Sequence, residues 1–363
     1  MEPAVKDMVY SFRDIEEEPY TICRWLRATK MDASKILKRL EENVGMWKEA
    51  SKHDFYPDPS KELGCPFSLF LTQYPFLGLG RGKNGCPVNY FQVGKIHPEG
   101  IMCLTTAKQT EAYFWHSFMY IFKKEIKRAQ AENPDFVRCE GINIIDLQGL
   151  SASAITSETM DVIQIASKIS DFFPETLHCM LVLNAPSFFS FSWSVIKKFI
   201  DPRTASRIQV FSSTEKGLKA LFDLVDKKQI PIDYGGSNKS VASALLEQSA
   251  DPSIIRQSVH LVHVKKHKAG TCEFKLNAGE SVTIKVYTRS AGGSDFCVRK
   301  NQQLVRNAKV VQADVSGDSP VPKCTRLVKV EGPGTIHVEA TDRGDKTSKH
   351  HSSGYFLVVG DVG

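Results

Sequence analysis

The sequence INIIDLQGLS, at residues 142–151, decides the fold of this chain, because a short and mostly apolar run ends there in a polar turn. Such a run is typical of a buried strand. Patterns of helix and strand then alternate, with helices predicted at residues 155–173, 188–200 and 215–224 and strands at residues 179–185 and 208–211. This alternation predicts right-handed βαβ crossovers and a parallel or mixed sheet.

The residues before this stretch predict helices and a hairpin. Between residues 20 and 50 apolar residues recur at helical spacing, and Asp32 can cap the second of two helices. The glycine-rich run at residues 78–85 resembles a phosphate-binding loop, but such a loop requires Ser or Thr where Asn84 stands. A strand pattern follows, so we predict a hairpin turn there. Residues 108–131 predict a long amphipathic helix.

The residues after Tyr234-Gly235-Gly236 predict a second architecture. Residues 237–252 are small and polar, as is typical of a linker. Eight short runs of alternating apolar and polar residues follow, the fifth at residues 309–311. Strands at this spacing favour an antiparallel β-sandwich. The predicted fold is therefore an α/β N-terminal lobe, made of helices and a βαβ sheet, followed by an all-β antiparallel sandwich.

The composition is that of a globular protein of about two domains. The chain has 363 residues, of which 42% are hydrophobic and 24% charged, and this excludes wholly disordered and collagen-like classes. No stretch approaches the roughly 20 apolar residues of a membrane-spanning helix, and the N-terminal residues do not resemble a signal peptide. We therefore expect a cytosolic protein. The net charge of +6 is concentrated in the C-terminal third. This basic surface can serve contact with anionic headgroups or acidic proteins, and a soluble surface without such a partner explains it equally well.

Catalytic and metal-binding patterns are absent from the sequence. The nine cysteines are scattered, with neither a C-x-x-C pair nor a histidine at zinc-finger spacing, so we expect reduced thiols and no metal site. No nucleophile elbow, zinc-protease helix, kinase motif set or dinucleotide-binding loop occurs. We therefore expect a protein that is not an enzyme.

The helix predicted at residues 188–200 is unusually aromatic. It begins with SFFSFSW at residues 187–193, which carries apolar residues on more than one face. Such a helix is normally buried in a large core. In a soluble two-layer domain it can instead wall a cavity or contact a membrane, and both interpretations stay open.

Eight short motifs in a fixed order resemble the CRAL-TRIO lipid-transfer family over residues 18–237. They are RWLRA (24–28), GCPV (85–88), DLQGLS (146–151), FPE (173–175), NAP (184–186), FIDPRT (199–204), IP (230–231) and YGG (234–236). The C-terminal sandwich is similar in length and placement to a GOLD domain. The resemblance implies a helical subdomain at residues 1–55, a lipid-binding domain at 56–237, a linker at 238–252 and a GOLD-like β-sandwich at 253–363.

The resemblance also implies a headgroup site and a mobile gate helix over a sheet-floored pocket for one lipid. The residues that match the inositol-lipid headgroup motif are Lys30, Glu175, Thr204 and Arg207. Arg207 replaces a lysine of the family, and Thr29 stands where the family has an arginine. Tyr90, Ser151 and Ser153 match a second headgroup site, although core filling by the tyrosine and loop capping by the serines explain them equally well. The gate helix would carry Phe189, Phe191, Trp193, Ile196 and Phe199, which core packing also explains.

The function that the sequence favours is that of a lipid carrier. The chain would bind one phospholipid or other hydrophobic molecule and transfer or present it between membranes, as a candidate phosphatidylinositol/phosphatidylcholine transfer protein. The alternative is a membrane-trafficking adaptor that acts through the GOLD-like sandwich and uses its pocket as a lipid sensor. The expected partners are the lipid, a transiently contacted membrane surface and a protein partner of the sandwich. We expect no nucleic acid, and no cofactor other than the bound lipid.

Overall fold

A computed structural model of the chain describes residues 2–248, 257–264, 268–288, 294–309, 323–342 and 354–362. The chain folds into two compact units that are not contiguous in sequence. The first unit comprises residues 1–62, 75–96 and 107–248, and the second comprises residues 63–74, 97–106 and 249–363. The sequence prediction had placed residues 63–74 and 97–106 in the lipid-binding domain, whereas they fold with the sandwich.

The described helices and strands follow in chain order. The helices are α1 (Pro3–Val9), α2 (Glu18–Ala28), α3 (Ala33–Ser51), α4 (Ser60–Leu63), α5 (Phe67–Gln73), α6 (Pro98–Leu104), α7 (Glu111–His116), α8 (Lys123–Glu132), α9 (Ser157–Ser170), α10 (Phe189–Ile196), α11 (Pro202–Ala205), α12 (Thr214–Leu224) and α13 (Val241–Gln248). The strands are β1 (Phe76–Arg81), β2 (Pro87–Gln92), β3 (Gly141–Asp146), β4 (Leu177–Leu183), β5 (Ile208–Val210), β6 (Gln257–Val264), β7 (Gly270–Leu276), β8 (Ser281–Thr288), β9 (Ser294–Lys300), β10 (Gln303–Lys309), β11 (Lys323–Glu331), β12 (Gly334–Asp342) and β13 (Gly354–Val362).

The sheet of the first unit has the strand order β1-β2-β3-β4-β5. The first two strands pair antiparallel, and β2, β3, β4 and β5 pair in parallel. The predicted hairpin and the predicted βαβ crossovers are therefore confirmed, and so is the mixed α/β fold class. The long helix predicted at residues 108–131 is present as α7 and α8, with a π-helical segment at Ser117–Phe122 between them.

The two faces of this sheet have different neighbours. Ile145 of β3 and Val182 of β4 are register partners, and both pack in a cluster that includes Phe189 of α10. Because side chains alternate along a strand, Tyr90 and its register partner Ile144 lie on the opposite face. The face under α10 is therefore the floor of any site that this helix covers, and we call it the sheet floor.

The helical hairpin at the N-terminus is confirmed, and Asp32 caps its second helix. The Asp32 carboxylate accepts hydrogen bonds from the amides of Ser34 (3.1 Å) and Lys35 (3.3 Å). The Ser34 hydroxyl also donates to it and the Lys35 ammonium lies 3.2 Å away, and these two groups, with the Lys35 amide, lower the pKa of the Asp32 carboxyl to about 2. The carboxylate is thus stabilised in its charged form by the folded helix end.

Replacing Asp32 with alanine is expected to lower the melting temperature at neutral pH, because the amides at the start of α3 lose their acceptor. Since the folded state holds this pKa below its ordinary value, the contribution of the cap is present above about pH 4 and is lost as the pH falls towards 2. Asp32→Asn retains an acceptor but not the titration. At pH 7 it should melt between the alanine variant and wild type, and a pH-independent difference between the alanine variant and wild type would contradict the assignment.

The second unit is an antiparallel β-sandwich, as predicted. One sheet has the order β10-β9-β12-β7 and the other the order β11-β8-β13-β6. Residues of β7 alternate strictly between buried and exposed, and the buried residues of both sheets form one core cluster. The fifth strand was predicted at residues 309–311, whereas β10 ends at Lys309, so the two share only that residue. Residues 310–311 lie outside the described part of the chain.

Helices α5 and α6 belong to this second unit because their apolar residues are buried there. Leu69 and Phe70 of α5 and Cys103 and Leu104 of α6 are at most 2% exposed. The Cys103 thiol donates to the carbonyl of Tyr355 in β13 at 3.2 Å. These contacts are long-range, which explains why the local pattern did not predict them.

The first half of the predicted linker is a helix of the first unit. Helix α13 begins at Val241, whose amide donates to the Asp233 carboxylate at 2.8 Å. Val241 and Ala244 are buried. The linker predicted at residues 238–252 is therefore not open chain up to residue 248, and its remainder lies outside the described residues.

Candidate functional site

Glu175 lies at the centre of a charged cluster, which we call the arginine clamp. Its carboxylate is only 6% exposed and forms ion pairs with Arg203 (Nε to Oε1, 3.0 Å) and Arg207 (Nη2 to Oε2). Glu175 has a φ of +61°, a left-handed conformation that is uncommon for a residue with a side chain. Two cations face one anion, so the cluster carries a net positive charge.

The two arginines of the clamp come from the short helix α11 and the turn that follows it. The Asp201 side chain caps α11 by accepting from the amides of Arg203 (2.9 Å) and Thr204 (3.3 Å), and Pro202 occupies the first turn. Arg203 lies in α11, and Arg207 follows in the turn after it, where the Arg207 amide donates to the Thr204 carbonyl at 3.0 Å. Thr204 lies between them in the chain.

The end of α2 holds the Pro174-Glu175 turn from the other side. The buried Arg24 guanidinium donates to the Pro174 carbonyl at 2.7 Å and pairs with Glu16. Arg203 also donates to the carbonyl of Arg27. The charged side chains of α2 and α11 therefore converge on the same turn.

The structure brings three of the four predicted headgroup residues together. Glu175 and Arg207 are in direct contact, and Thr204 belongs to the same turn of chain. Lys30 is exposed and lies three residues beyond Arg27. The Thr29 hydroxyl is buried and donates back to the carbonyls of its own helix, with Trp25 and Leu26 each at 3.3 Å. A headgroup role for these residues stays a prediction.

Arg203 is the residue that sequence reasoning missed. It stands in the FIDPRT motif, but the family resemblance implies no role for it. The signal that could have found it is a second arginine only four residues before Arg207, and both guanidinium groups lie beside one carboxylate. Guanidinium groups form forked hydrogen bonds with carboxylates and phosphates, so both arginines can bind an anion.

The second predicted headgroup group is only partly brought together. The hydroxyls of Ser151 and Ser153 are 2.8 Å apart and exposed, in the segment after the carboxyl end of β3. Tyr90 is fully buried on the sheet face opposite α10, where its ring stacks on Tyr234 at 5.4 Å. Burial raises the pKa of the Tyr90 hydroxyl. The tyrosine thus lies apart from the serines, as core filling would place it.

The five gate residues divide between two environments. Phe189 is buried, and Trp193 and Ile196 pack with it against the cluster of Leu147 and Val182 at the sheet floor. These three residues are spaced as one face of a helix. Phe191 is 76% exposed, and Phe199, in the 3-10 turn after α10, is 36% exposed. Helix α10 therefore packs on the sheet with one apolar face and exposes Phe191 elsewhere on its surface.

The chemistry available at this site is noncovalent. The sheet floor offers partly buried apolar side chains, including Ile145, Met180 and Ile208, and the arginine clamp offers guanidinium groups for an anionic group. An apolar surface and a cationic cluster within one unit suit an amphiphilic ligand. No described helix combines the length and the apolar character needed to cross a membrane.

Comparison with known proteins agrees with this arrangement. Residues 71–236 match the family model described as the CRAL/TRIO domain. The phosphatidylinositol/phosphatidylcholine transfer protein SFH13 of Arabidopsis thaliana is 29% identical over 223 residues, which cover 61% of this chain and 35% of that protein. The similarly named SFH4 of the same plant is 30% identical over 224 residues, which cover 61% of this chain and 36% of that protein.

A third relative is the SEC14 cytosolic factor of Yarrowia lipolytica. It is 27% identical over 226 residues, which cover 61% of this chain and 44% of that protein. The chain thus spans less than half the length of these relatives. The CRAL-TRIO resemblance seen in the sequence is confirmed for residues 71–236. For the C-terminal part, the antiparallel sandwich is the finding, and its GOLD-like character stays a prediction.

Proposed function

We propose that this chain binds one phospholipid, or another hydrophobic molecule, between α10 and the sheet floor and transfers or presents it between membranes. The aromatic side chains of α10 carry this proposal, because Phe189 and Trp193 pack on the sheet floor while Phe191 of the same helix is exposed. A lipid held in water must bury its acyl chains, and each buried CH₂ group contributes about 0.8 kcal/mol. Movement of α10 would expose the floor and bring Phe191 to the bilayer.

The part of a lipid headgroup that fits the clamp best is its anionic phosphate, and the candidate lipids are phosphatidylinositol first and phosphatidylcholine second. Arg203 and Arg207 form ion pairs with Glu175, so a lipid phosphate would share the two guanidinium groups with this carboxylate. Two of the three relatives support this choice, since they are named for transfer of these two lipids. Ser151 and Ser153 are the candidates for contact with a phosphocholine group.

The second unit is proposed as a GOLD-like module with a protein partner. Its antiparallel sandwich supports this, and the same unit would carry the adaptor function in the alternative interpretation. We also propose that the protein acts in the cytoplasm, contacts membranes transiently and catalyses no reaction. Support for the location comes from the relative named as a cytosolic factor.

The experiment that tests the lipid proposal exposes the full chain to liposomes, re-isolates the protein and extracts any bound lipid with organic solvent. We expect mass spectrometry of the re-isolated protein to show about one phospholipid per chain, enriched in phosphatidylinositol or phosphatidylcholine over their share in the liposomes. Protein that was kept away from liposomes is the matched control for lipid acquired during expression. A result with no lipid above background would overturn the carrier proposal and favour the adaptor.

A further inference from the structure

Three potential metal ligands meet at the amino ends of the parallel strands. Cys86 precedes β2, Glu140 precedes β3 and His178 is the second residue of β4. Their ligand atoms, the thiol sulfur, a carboxylate oxygen and an imidazole nitrogen, all lie within 4.8 Å of one another. Within the part of the chain that the structure describes, this is the one such group of three.

The sheet itself brings these residues together. Parallel strands begin at the same edge of a sheet, so the residues that precede β2 and β3 become neighbours. The pairing of β3 with β4 shifts register between Gly141 and Ile142, whose partners are Leu177 and Cys179. His178 is the extra residue of this bulge, and bulges redirect side chains. Its Nδ1 is 3.0 Å from the Glu140 carboxylate.

We propose that Cys86, Glu140 and His178 bind a divalent zinc ion. Sulfur, imidazole nitrogen and carboxylate oxygen are the donors that zinc prefers, at about 2.0–2.3 Å in a tetrahedral arrangement. Ligand atoms in such a site are about 3.3–3.8 Å apart, as these bond lengths require. Separations of at most 4.8 Å therefore need shifts of about 1 Å. Water would fill the fourth position.

Zinc binding would release one proton, from Cys86, and would move one proton between the ring nitrogens of His178. The Cys86 thiol loses its proton to solvent when it binds the metal, because zinc binds thiolate. In the metal-free state the His178 imidazole donates from Nδ1 to the Glu140 carboxylate. It would bind zinc through Nδ1 and carry its proton on Nε2 instead.

The surroundings suit a site that exchanges with solvent. Cys86 is fully buried, whereas the Glu140 and His178 side chains are 14% and 30% exposed, which leaves an entry path. Arg138 lies 3.4 Å from the Glu140 carboxylate and would orient it as an outer-shell partner. Zinc there would link the starts of β2, β3 and β4, at the other end of β3 from Ser151. The proposal is therefore independent of lipid binding.

The chain contains a matched control for this site. His337 and Glu273 of the second unit also lie 3.0 Å apart, with Nδ1 facing the carboxylate, but they belong to no described group that includes a third ligand. A bare histidine–carboxylate pair can therefore be compared with one that has a cysteine beside it.

The test is metal titration of the full chain after removal of any affinity tag. With cobalt as a spectroscopic probe, we expect one equivalent to produce thiolate-to-cobalt charge-transfer absorption, and zinc to abolish it. In competition with a chromogenic chelator, Cys86→Ser and His178→Gln should each lower zinc affinity at least about 100-fold. That loss exceeds the 10- to 100-fold effect typical of outer-shell partners. Zinc should raise the melting temperature of wild type but not of these variants.

Control variants decide whether the site is specific. His337→Gln should bind zinc as wild type does. Circular dichroism of each variant checks the fold, and the partly exposed His178 serves as the informative position if the variant at buried Cys86 fails to fold. The proposal is overturned if wild type shows no sulfur-to-cobalt absorption or if His178→Gln retains wild-type zinc affinity. It is also overturned if His337→Gln loses as much zinc affinity as His178→Gln does.

Discussion

Replacing Phe191 with aspartate is expected to lower liposome binding and lipid transfer by about 10- to 100-fold while leaving the fold intact. The side chain is 76% exposed, so its loss removes little packing from the folded protein. If it enters the bilayer, burial of a phenylalanine contributes about 1.5–3 kcal/mol, which corresponds to that change in affinity. Vesicle cosedimentation and transfer of labelled phosphatidylcholine measure the effect, and circular dichroism checks the fold.

Two other variants separate membrane contact from packing. Ile232 is 60% exposed in the first unit and lies outside α10, so Ile232→Asp should transfer lipid at the wild-type rate. Trp193 packs with Phe189 on the sheet floor, so Trp193→Ala should lower the melting temperature. Wild-type transfer by Phe191→Asp would contradict the gate assignment, and so would an equal loss in Ile232→Asp.

The sequence predicted those parts of the fold that depend on local periodicity. The apolar run at residues 142–147 and the aromatic helix after residue 187 predicted β3 and α10, since a strand or a helix leaves its own period in the sequence. The hairpin before β2 followed from glycines and from the asparagine that excludes a phosphate loop. Asp32 was identified as a cap because capping is a contact between near neighbours.

What the sequence could not predict depends on contacts between distant residues. The burial of α5 and α6 in the second unit depends on β13, which lies some 250 residues further along the chain. The sheet face on which Tyr90 lies follows from strand register, and register has no signature in a single strand. The Cys86, Glu140 and His178 group is likewise invisible to spacing rules, because those rules detect ligands that are close in sequence.

The candidate site was predicted as a list of residues without its geometry. Matching the family motif selected Glu175, Thr204 and Arg207, which the structure does bring together. It could not show that Glu175 is buried between two guanidinium groups, because burial depends on how α2 packs against the Pro174 turn. This burial changes what a substitution at Glu175 would do, since a buried carboxylate contributes to folding as well as to ligand binding.

Replacing Glu175 with glutamine is therefore expected to destabilise the first unit and to reduce phosphatidylinositol transfer more than phosphatidylcholine transfer. Removing one partner of a fully buried ion pair costs about 3–5 kcal/mol. The Arg203 and Arg207 side chains retain 34% and 19% exposure, so solvent compensates in part and we expect about 2–3 kcal/mol. For a domain of this size, that loss corresponds to a fall in melting temperature of about 4–12 °C.

A matched variant at an exposed pair shows whether burial is the cause. Glu42 lies 3.8 Å from Lys38 with both side chains largely exposed, and such pairs contribute at most about 1 kcal/mol. Glu42→Gln should thus melt close to wild type, because water solvates the remaining lysine. Differential scanning calorimetry of both variants tests the stability of the clamp, and transfer assays with the two lipids test its role in binding. Equal melting temperatures for both variants would contradict the buried clamp, since glutamine cannot balance two guanidinium charges. An unchanged preference for phosphatidylinositol would contradict the assignment of the clamp to the headgroup.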